Sequence, residues 1–300
     1  FDPYPSLTVT LIEASPRVVP VNFNCWSWLF ASAIETRSDS LDPPIALVDK
    51  VPPSEDSVTK TLSPSESETE KKGLKFEISP ILMGVINMTP DSFSDGGKYN
   101  KTNLALERAR YFIKRGCQII DIGGESTRPG SKTINENLEW RRINKIIKIL
   151  SKKVPISLDT RKSTIMKKGI KLGIKIINDV SGLEYDPETV NVLKIYKTPF
   201  VLQHSQGRPE NMQNKPSYKN ELLDIYDFFE EKIKLLRSKG IKHNNIILDP
   251  GIGFGKNLKH NMSLIHNISI FHSLGFPILV GNSRKKFIKD LSGKNDSKSR

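Results

Sequence analysis

Residues 119–131, IIDIGGESTRPGS, set an acid, two glycines, a second acid, two hydroxyls and an arginine at the end of an apolar, β-branched run. Such a run reads as a buried parallel strand, and the switch to Gly, Pro and polar residues as the loop that follows it. Strand C-termini are where α/β proteins keep their reactive groups. The device repeats: Asn87, Asp121, Asp159, Asn178, His204, Asp249 and Ser283 each close or directly follow a short apolar run. One such residue is commonly a helix N-cap or a turn former. Seven in succession suggest a polar ring around one site. Three carboxylates and two amides on it suit a heterocycle with several N–H donors, such as a guanidine-like edge.

Loops beside this ring add further chemistry. Residues 87–97, NMTPDSFSDGG, offer Asn87, Asp91 and Asp95 as hard oxygen ligands for Mg²⁺, and Phe93 as a lid residue. Thr127 and Arg128 in 125–131 suit an anion. Residues 281–286, GNSRKK, open a helix with Arg284, Lys285 and Lys286, a second anion site. The glycine-rich 248–256, LDPGIGFGK, is not a Walker loop: three residues, not four, separate Gly251 from Gly255, and Asn257 follows Lys256 where Ser or Thr is required. A tight loop that lets a ligand approach the backbone is expected there. No HExxH or GxSxG pattern occurs, and the five histidines lack zinc-ligand spacing.

The elements that must position these groups alternate from residue 74 onward. Strands are expected over 81–86, 118–122, 154–158, 175–177, 200–203, 245–248 and 277–280. Helices are expected over 102–115, 135–151, 162–172, 186–196, 217–239 and 258–273, with a last one from about 284. This is an α/β chain with a parallel sheet and right-handed crossovers. A doubly wound sheet is one solution. A (β/α)8 TIM-type barrel is favoured because polar residues end every strand, not those at one switch point. Seven βα units are visible. An eighth strand is missing at the C-terminus, where 294–300 is polar.

Residues 74–300 are thus expected to form one C-terminally incomplete barrel domain. Residues 1–73 read as an N-terminal extension or linker. Prolines 43, 44, 52, 53 and 64 interrupt it, and 54–70 is mostly Ser, Thr, Glu and Asp, so it is expected to be largely disordered. The net charge is +13, with lysines scattered along amphipathic helices as on a solvated surface. No arginine-rich tract or basic–aromatic run supports a nucleic-acid partner. Cys25 and Cys117 suggest no disulfide framework, which points to the cytoplasm. No apolar run reaches the ~18 residues of a membrane span.

The ordered set NMTPDSFSDGG, DIGGESTRPGS, LDT, INDVSG, LDPGIGFGK and GNSRK resembles dihydropteroate synthase over residues 81–290. The resemblance implies a (β/α)8 barrel, a homodimer, Mg²⁺, and a reaction joining p-aminobenzoate to a dihydropterin methyl diphosphate with release of diphosphate. By matching motif, Asn87 would hold Mg²⁺ on the diphosphate. Asp121, Asp159, Asn178 and Asp249 would line the pterin pocket with Lys285. Ser283 would sit where the two substrates meet. Thr127, Arg128, Pro129 and Phe254 would frame p-aminobenzoate, and Phe93 and Asp95 would close over the leaving group. Phe93, Asp95, Arg128 and Lys285 would then serve catalysis.

Two features depart from that pattern. Ser205 in HSQG stands where the family commonly has Met. The family's last strand carries an Arg-x-His pair for the diphosphate, and no counterpart follows Ser283. Apolar stretches at 7–12 and 45–48 are candidates to fill the gap, against the tendency of consecutive elements to be neighbours. The alternatives are a truncated, non-catalytic pterin-binding subunit and a pterin-dependent methyltransferase. The 87–97 and 123–130 loops disfavour the methyltransferase, whose chemistry expels no diphosphate.

Overall fold

The structure, a computed structural model, describes residues 9–13, 80–89, 100–127, 130–207, 212, 216–283, 285, 287 and 288. Eight strands close into a barrel in chain order: β1 (Val9–Glu13), β2 (Ile81–Asn87), β3 (Ile119–Gly123), β4 (Ile156–Asp159), β5 (Ile176–Asp179), β6 (Phe200–Gln203), β7 (Ile246–Asp249) and β8 (Ile278–Val280). From β2 to β8 every pairing is parallel. The helices between them are α1 (Asn100–Lys114), α2 (Glu136–Leu150), α3 (Ser163–Lys171), α4 (Thr189–Tyr196), α5 (Glu221–Ser238) and α6 (Leu258–His266). A 3₁₀ segment, Ile268–Leu274, follows α6 where one continuous helix was expected.

β1 corrects two expectations. Residues 9–13 do not belong to an extension outside the barrel, and the seam between first and last parallel strands is not open. Val9–Glu13 runs antiparallel to both neighbours, with Leu11 paired to Leu82 on β2 and to Val280 on β8. The reason is the edge problem: two parallel edge strands leave rows of unpaired N–H and C=O groups, and any extended segment that reaches them is captured. The other residues before Pro80 lie outside the described set.

Strand sequences decide which groups face inward. In a strand successive side chains alternate between faces. One core cluster consists of Ile81, Met83, Ile119, Ile176, Val201, Ile247 and Leu279, which fill the barrel interior. Their chain neighbours Ile120, Ile177, Phe200, Leu202, Ile246, Leu248 and Ile278 join the larger cluster beneath the helices. Both faces are buried, so the strands read as continuous apolar runs.

The helices cover the outer face through apolar stripes at helical spacing. On α2 these are Ile143, Ile146, Ile147 and Leu150; on α5, Ile225, Phe229, Ile233 and Leu236. α2 starts at the cap Asn135, whose side chain accepts from the Leu138 amide at 2.8 Å. Cys117 is a buried apolar group, its thiol pushed up to about 11 by burial. Among the described residues no helix is long and apolar enough to cross a membrane.

Candidate active site

Two residues beyond the inner apolar layer, the alternation delivers polar groups to the C-terminal mouth. Ile119 is followed inward by Asp121 and Gly123, Ile176 by Asn178, Val201 by Gln203, and Ile247 by Asp249. β2 adds Val85 and Asn87, β4 adds Asp159, and the segment after β8 adds Gly281 and Ser283. Apart from Gly123, these polar groups, with Thr127, Val180, Phe254 and Lys285, line a cleft of about 150 Å³ that is partly open to solvent. The mouth of such a barrel is where ligand sites form.

Strand register sets the neighbours. Asn87, Gly123, Asp159 and Asn178 lie in one row across β2 to β5. A Cβ at Gly123 would lie 3.1 Å from Asp159 Oδ2 and 3.2 Å from Asn87 Oδ1, so any larger residue would crowd both groups. The missing side chain leaves the space those two polar groups occupy. Gln203 and Asp249 pair directly across β6 and β7. Asn178 Nδ2 donates to Asp121 Oδ2 at 3.3 Å.

The cleft is electrostatically unusual. Burial raises the Asp121 carboxyl, partly offset by Ser157 and Asn178. Asp159 is pushed well above the usual range by burial and then by the charges of Asp121 and Glu139. Burial also raises Asp249, opposed by Lys285, the Gly251 amide and Lys256. Lys285 is lowered by burial to about 8, with Asp249 acting against the shift. Its ammonium donates to the Ile252 carbonyl and lies 4.5 Å from the Phe254 ring centroid. Buried acceptors without partners, Asp121 Oδ1 and Asn178 Oδ1, and the buried donor Gln203 Nε2, also without one, belong to residues that line the same cleft. A ligand with several N–H donors and at least one acceptor satisfies such a set.

A network of buried charges underlies the loop after β3. Glu125 Oε2 accepts from Arg161 Nε and Lys162 Nζ, each at 3.0 Å, and Glu125 Oε1 accepts from the Ile134 amide at 2.8 Å. Lys162 also pairs with Glu139 at 2.5 Å, and Thr160 Oγ1 donates to the other Glu139 oxygen at 2.5 Å. Burial alone would raise the Glu125 carboxyl. The Ile134 amide and the two cations outweigh it and hold the group below its ordinary range. This clamp ties the loop bearing Thr127 to the first residues after β4.

Most sequence-expected site residues converge. Asn87, Asp121, Thr127, Asp159, Asn178, Asp249, Phe254, Ser283 and Lys285 all line the cleft. Phe93, Asp95, Arg128 and Pro129 lie outside the described residues, as do Asp91, Arg284 and Lys286. His204 does not join the ring. It is one residue past the inward Gln203, so it faces outward, 4.9 Å from the Phe228 ring and 3.1 Å from Lys256 Nζ. Burial, then the Lys256 charge, lowers His204 to about 3, so it stays neutral. Gln203 is the residue that sequence reasoning missed; strict alternation from Val201 identifies it.

The glycines of the 248–256 loop make it tight. Gly251, Gly253 and Gly255 adopt φ of 68°, 80° and 60°. A Cβ would lie 1.9 Å from the His204 carbonyl oxygen at Gly251 and 2.4 Å from that of Gln206 at Gly255. These two glycines let the chain approach its own loop after β6 closely.

Residues 83–300 match the family of pterin binding enzymes. The chain belongs to this family, among the dihydropteroate synthases. It is 40% identical over 221 residues to the dihydropteroate synthase of Synechocystis sp., covering 73% of this chain and 76% of that one. With the Bacillus subtilis enzyme the identity is 41% over 222 residues, 73% and 75% of the two chains. Among solved structures, the Xanthomonas albilineans dihydropteroate synthase with 4-aminobenzoic acid is 34% identical. It superposes with a TM-score of 0.67, covering 72% of this chain and 77% of that one.

Proposed function

We propose that this chain condenses 6-hydroxymethyl-7,8-dihydropterin diphosphate with p-aminobenzoate, giving 7,8-dihydropteroate and diphosphate in folate biosynthesis. The observation that carries this reading is the ring of Asp121, Asp159, Asn178 and Asp249, with Lys285, at one barrel mouth. Buried carboxylates raised in pKa accept N–H donors well, because a ligand hydrogen bond replaces the water they have lost. The guanidine-like edge of a pterin supplies those donors.

In the reaction the aniline nitrogen forms a bond to the pterin methylene carbon, the carbon–oxygen bond to diphosphate breaks, and the nitrogen loses one proton. The ring groups hold the pterin so that its methylene faces Thr127, Ser283 and Phe254, where p-aminobenzoate would lie. Lys285, beside Asp249, supplies a cation near the developing leaving-group charge. Phe93, Asp95, Arg128 and Pro129 are assigned to the closing loop and the p-aminobenzoate side by motif alone.

Mg²⁺ fits as a partner of Asn87. Mg²⁺ is usually held by one or two side chains and the substrate's phosphates, and the Asn87 oxygen lines the cleft beside the carboxylates. Bound there, the ion would neutralise diphosphate charge. No cluster of three or more His, Cys, Asp or Glu able to hold a metal occurs among the described residues, which suits a shared protein–phosphate site. A homodimer in the cytoplasm completes the proposal.

The test is p-aminobenzoate-dependent formation of 7,8-dihydropteroate by the 300-residue chain with Mg²⁺. A folded chain that forms no product would overturn the catalytic reading in favour of a pterin-binding subunit.

A further inference from the structure

We propose that Gln203 is a specificity-determining residue of the pterin pocket, its carboxamide nitrogen donating a hydrogen bond to the ring carbonyl oxygen of the heterocycle. The proposal rests on the pterin reading above.

Gln203 ends β6 on the inward side, two residues beyond Val201 of the inner apolar layer. It lines the cleft and is 2% exposed. Its Nε2 has no hydrogen-bond partner. A buried carboxamide donor without a partner costs free energy, so its presence among otherwise apolar inward positions of β6 requires a reason.

The strand register supplies the reason. Gln203 is paired directly with Asp249. Asp249 presents only acceptors when ionised, whereas the Gln203 nitrogen presents only donors. Side by side they form an acceptor followed by a donor. A 2-amino-4-oxo pyrimidine edge presents the complement: the amino group and ring N–H donate, and the adjacent carbonyl oxygen accepts. Asp249 takes the two donors and Gln203 takes the carbonyl. Asn178 Nδ2 is already committed to Asp121, and Asp121 and Asp159 when ionised only accept, which leaves the carbonyl to Gln203 on this side of the mouth. Lys285 lines the same cleft and donates to the Ile252 carbonyl; a carbonyl oxygen accepts two hydrogen bonds, so a lysine donor and the Gln203 donor can serve it together.

The consequence is discrimination at one ring position. A 2,4-diamino ring places an N–H donor where the pterin has its carbonyl, and so sets donor against donor at Gln203. Sites built to hydrogen-bond one group reject the analogue that lacks it, because the buried partner is left unpaired. A methionine at this position, similar in length and without a donor, abolishes the distinction.

The experiment is calorimetric titration of the 300-residue chain and of Gln203→Met with two probes: 6-hydroxymethyl-7,8-dihydropterin and its 2,4-diamino counterpart. Thermal melting of both proteins without ligand accompanies it. The unaltered chain is expected to prefer the pterin, and Gln203→Met to bind it roughly tenfold more weakly. The 2,4-diamino probe is expected to bind Gln203→Met at least as well as the unaltered chain. The melting temperature is expected not to fall, since an unpaired buried donor has been removed. Should Gln203→Met prove insoluble, Gln203→Leu is read by the same criteria. Unchanged preference between the probes, or equal weakening of both with a lowered melting temperature, would overturn the proposal while leaving pterin binding intact. If the unaltered chain binds neither probe, the pterin reading falls and this proposal with it.

Discussion

At β6 a single residue separates the two histories of the chain. The sequence FVLQH offers His204 as the polar group that ends the strand, and His is the usual candidate for chemistry. A one-residue step reverses the face, so Gln203 enters the cleft and His204 packs outward on Phe228. Asn87, Asp121, Asn178 and Asp249 were legible because each is the first polar group after its apolar run and is also in phase with the inner layer. At β5, Asn178 is in phase and Asp179 is not; Asp179 turns out to accept from Ser181 and is raised by burial to about 6. Lys285 carries a prediction at this scale. Burial lowers it to about 8, so its charge is present below that pH and is lost as pH rises through it. The kcat/KM for the dihydropterin diphosphate should show a descending limb near pH 8 attributable to this group. Lys285→Arg should move that limb above about pH 10, because arginine stays protonated. An unmoved limb in the pH profile of the arginine variant would assign it to another residue.

The elements that carry the site are held by more than the barrel. The loop after β3 was legible as a functional loop from Gly123 to Ser131, yet Glu125 within it is structural. Its partner Arg161 lies 36 residues later in a stretch that reads only as a basic helix start. No periodicity marks a buried cation whose carboxylates arrive from α2 and a distant loop. Because Glu125, Glu139, Arg161 and Lys162 are all nearly inaccessible, removing Lys162 leaves the buried Glu139 without its cation. Lys162→Met should therefore destabilise the protein by about 3 kcal/mol in urea unfolding. Removing Glu139 with it, as Glu139→Leu/Lys162→Met, should recover part of that loss, because Glu125 keeps Arg161. A double variant less stable than the single one would show that the network is not coupled in this way. Acid should weaken the same clamp: the depressed Glu125 pKa contributes stability above its unfolded value, and the contribution is lost as pH falls through the folded one.

Across the whole molecule the parallel part of the barrel was legible, while its closure showed only as a candidate apolar stretch at 7–12 with nothing to fix its pairing. Seven strands alternate with helices at regular spacing, and consecutive units neighbour each other as local connection rules demand. β1 breaks that rule: five residues pair with strands that begin about 70 and 270 positions away in an antiparallel sense that no local pattern announces. Leu11→Pro removes a backbone donor from that strand. Amide exchange in β2 and β8 is expected to rise at least about tenfold in this variant, with β4 to β6 little changed. Equal protection of β2 and β8 in both proteins would deny β1 its closing role.

The barrel exists to bring Asp249 and its neighbours to one mouth, and the most direct test of that account is catalytic. Dihydropteroate formation should be measured for the unaltered chain beside Asp249→Asn, with dihydropterin diphosphate, p-aminobenzoate and Mg²⁺. Product is expected from the unaltered chain, and in the variant a kcat/KM for the pterin substrate lower by about 10²-fold, the size expected when a charged hydrogen-bond acceptor is lost. An unaltered chain that is folded and inactive, or an Asp249→Asn variant as active as its parent, would contradict it.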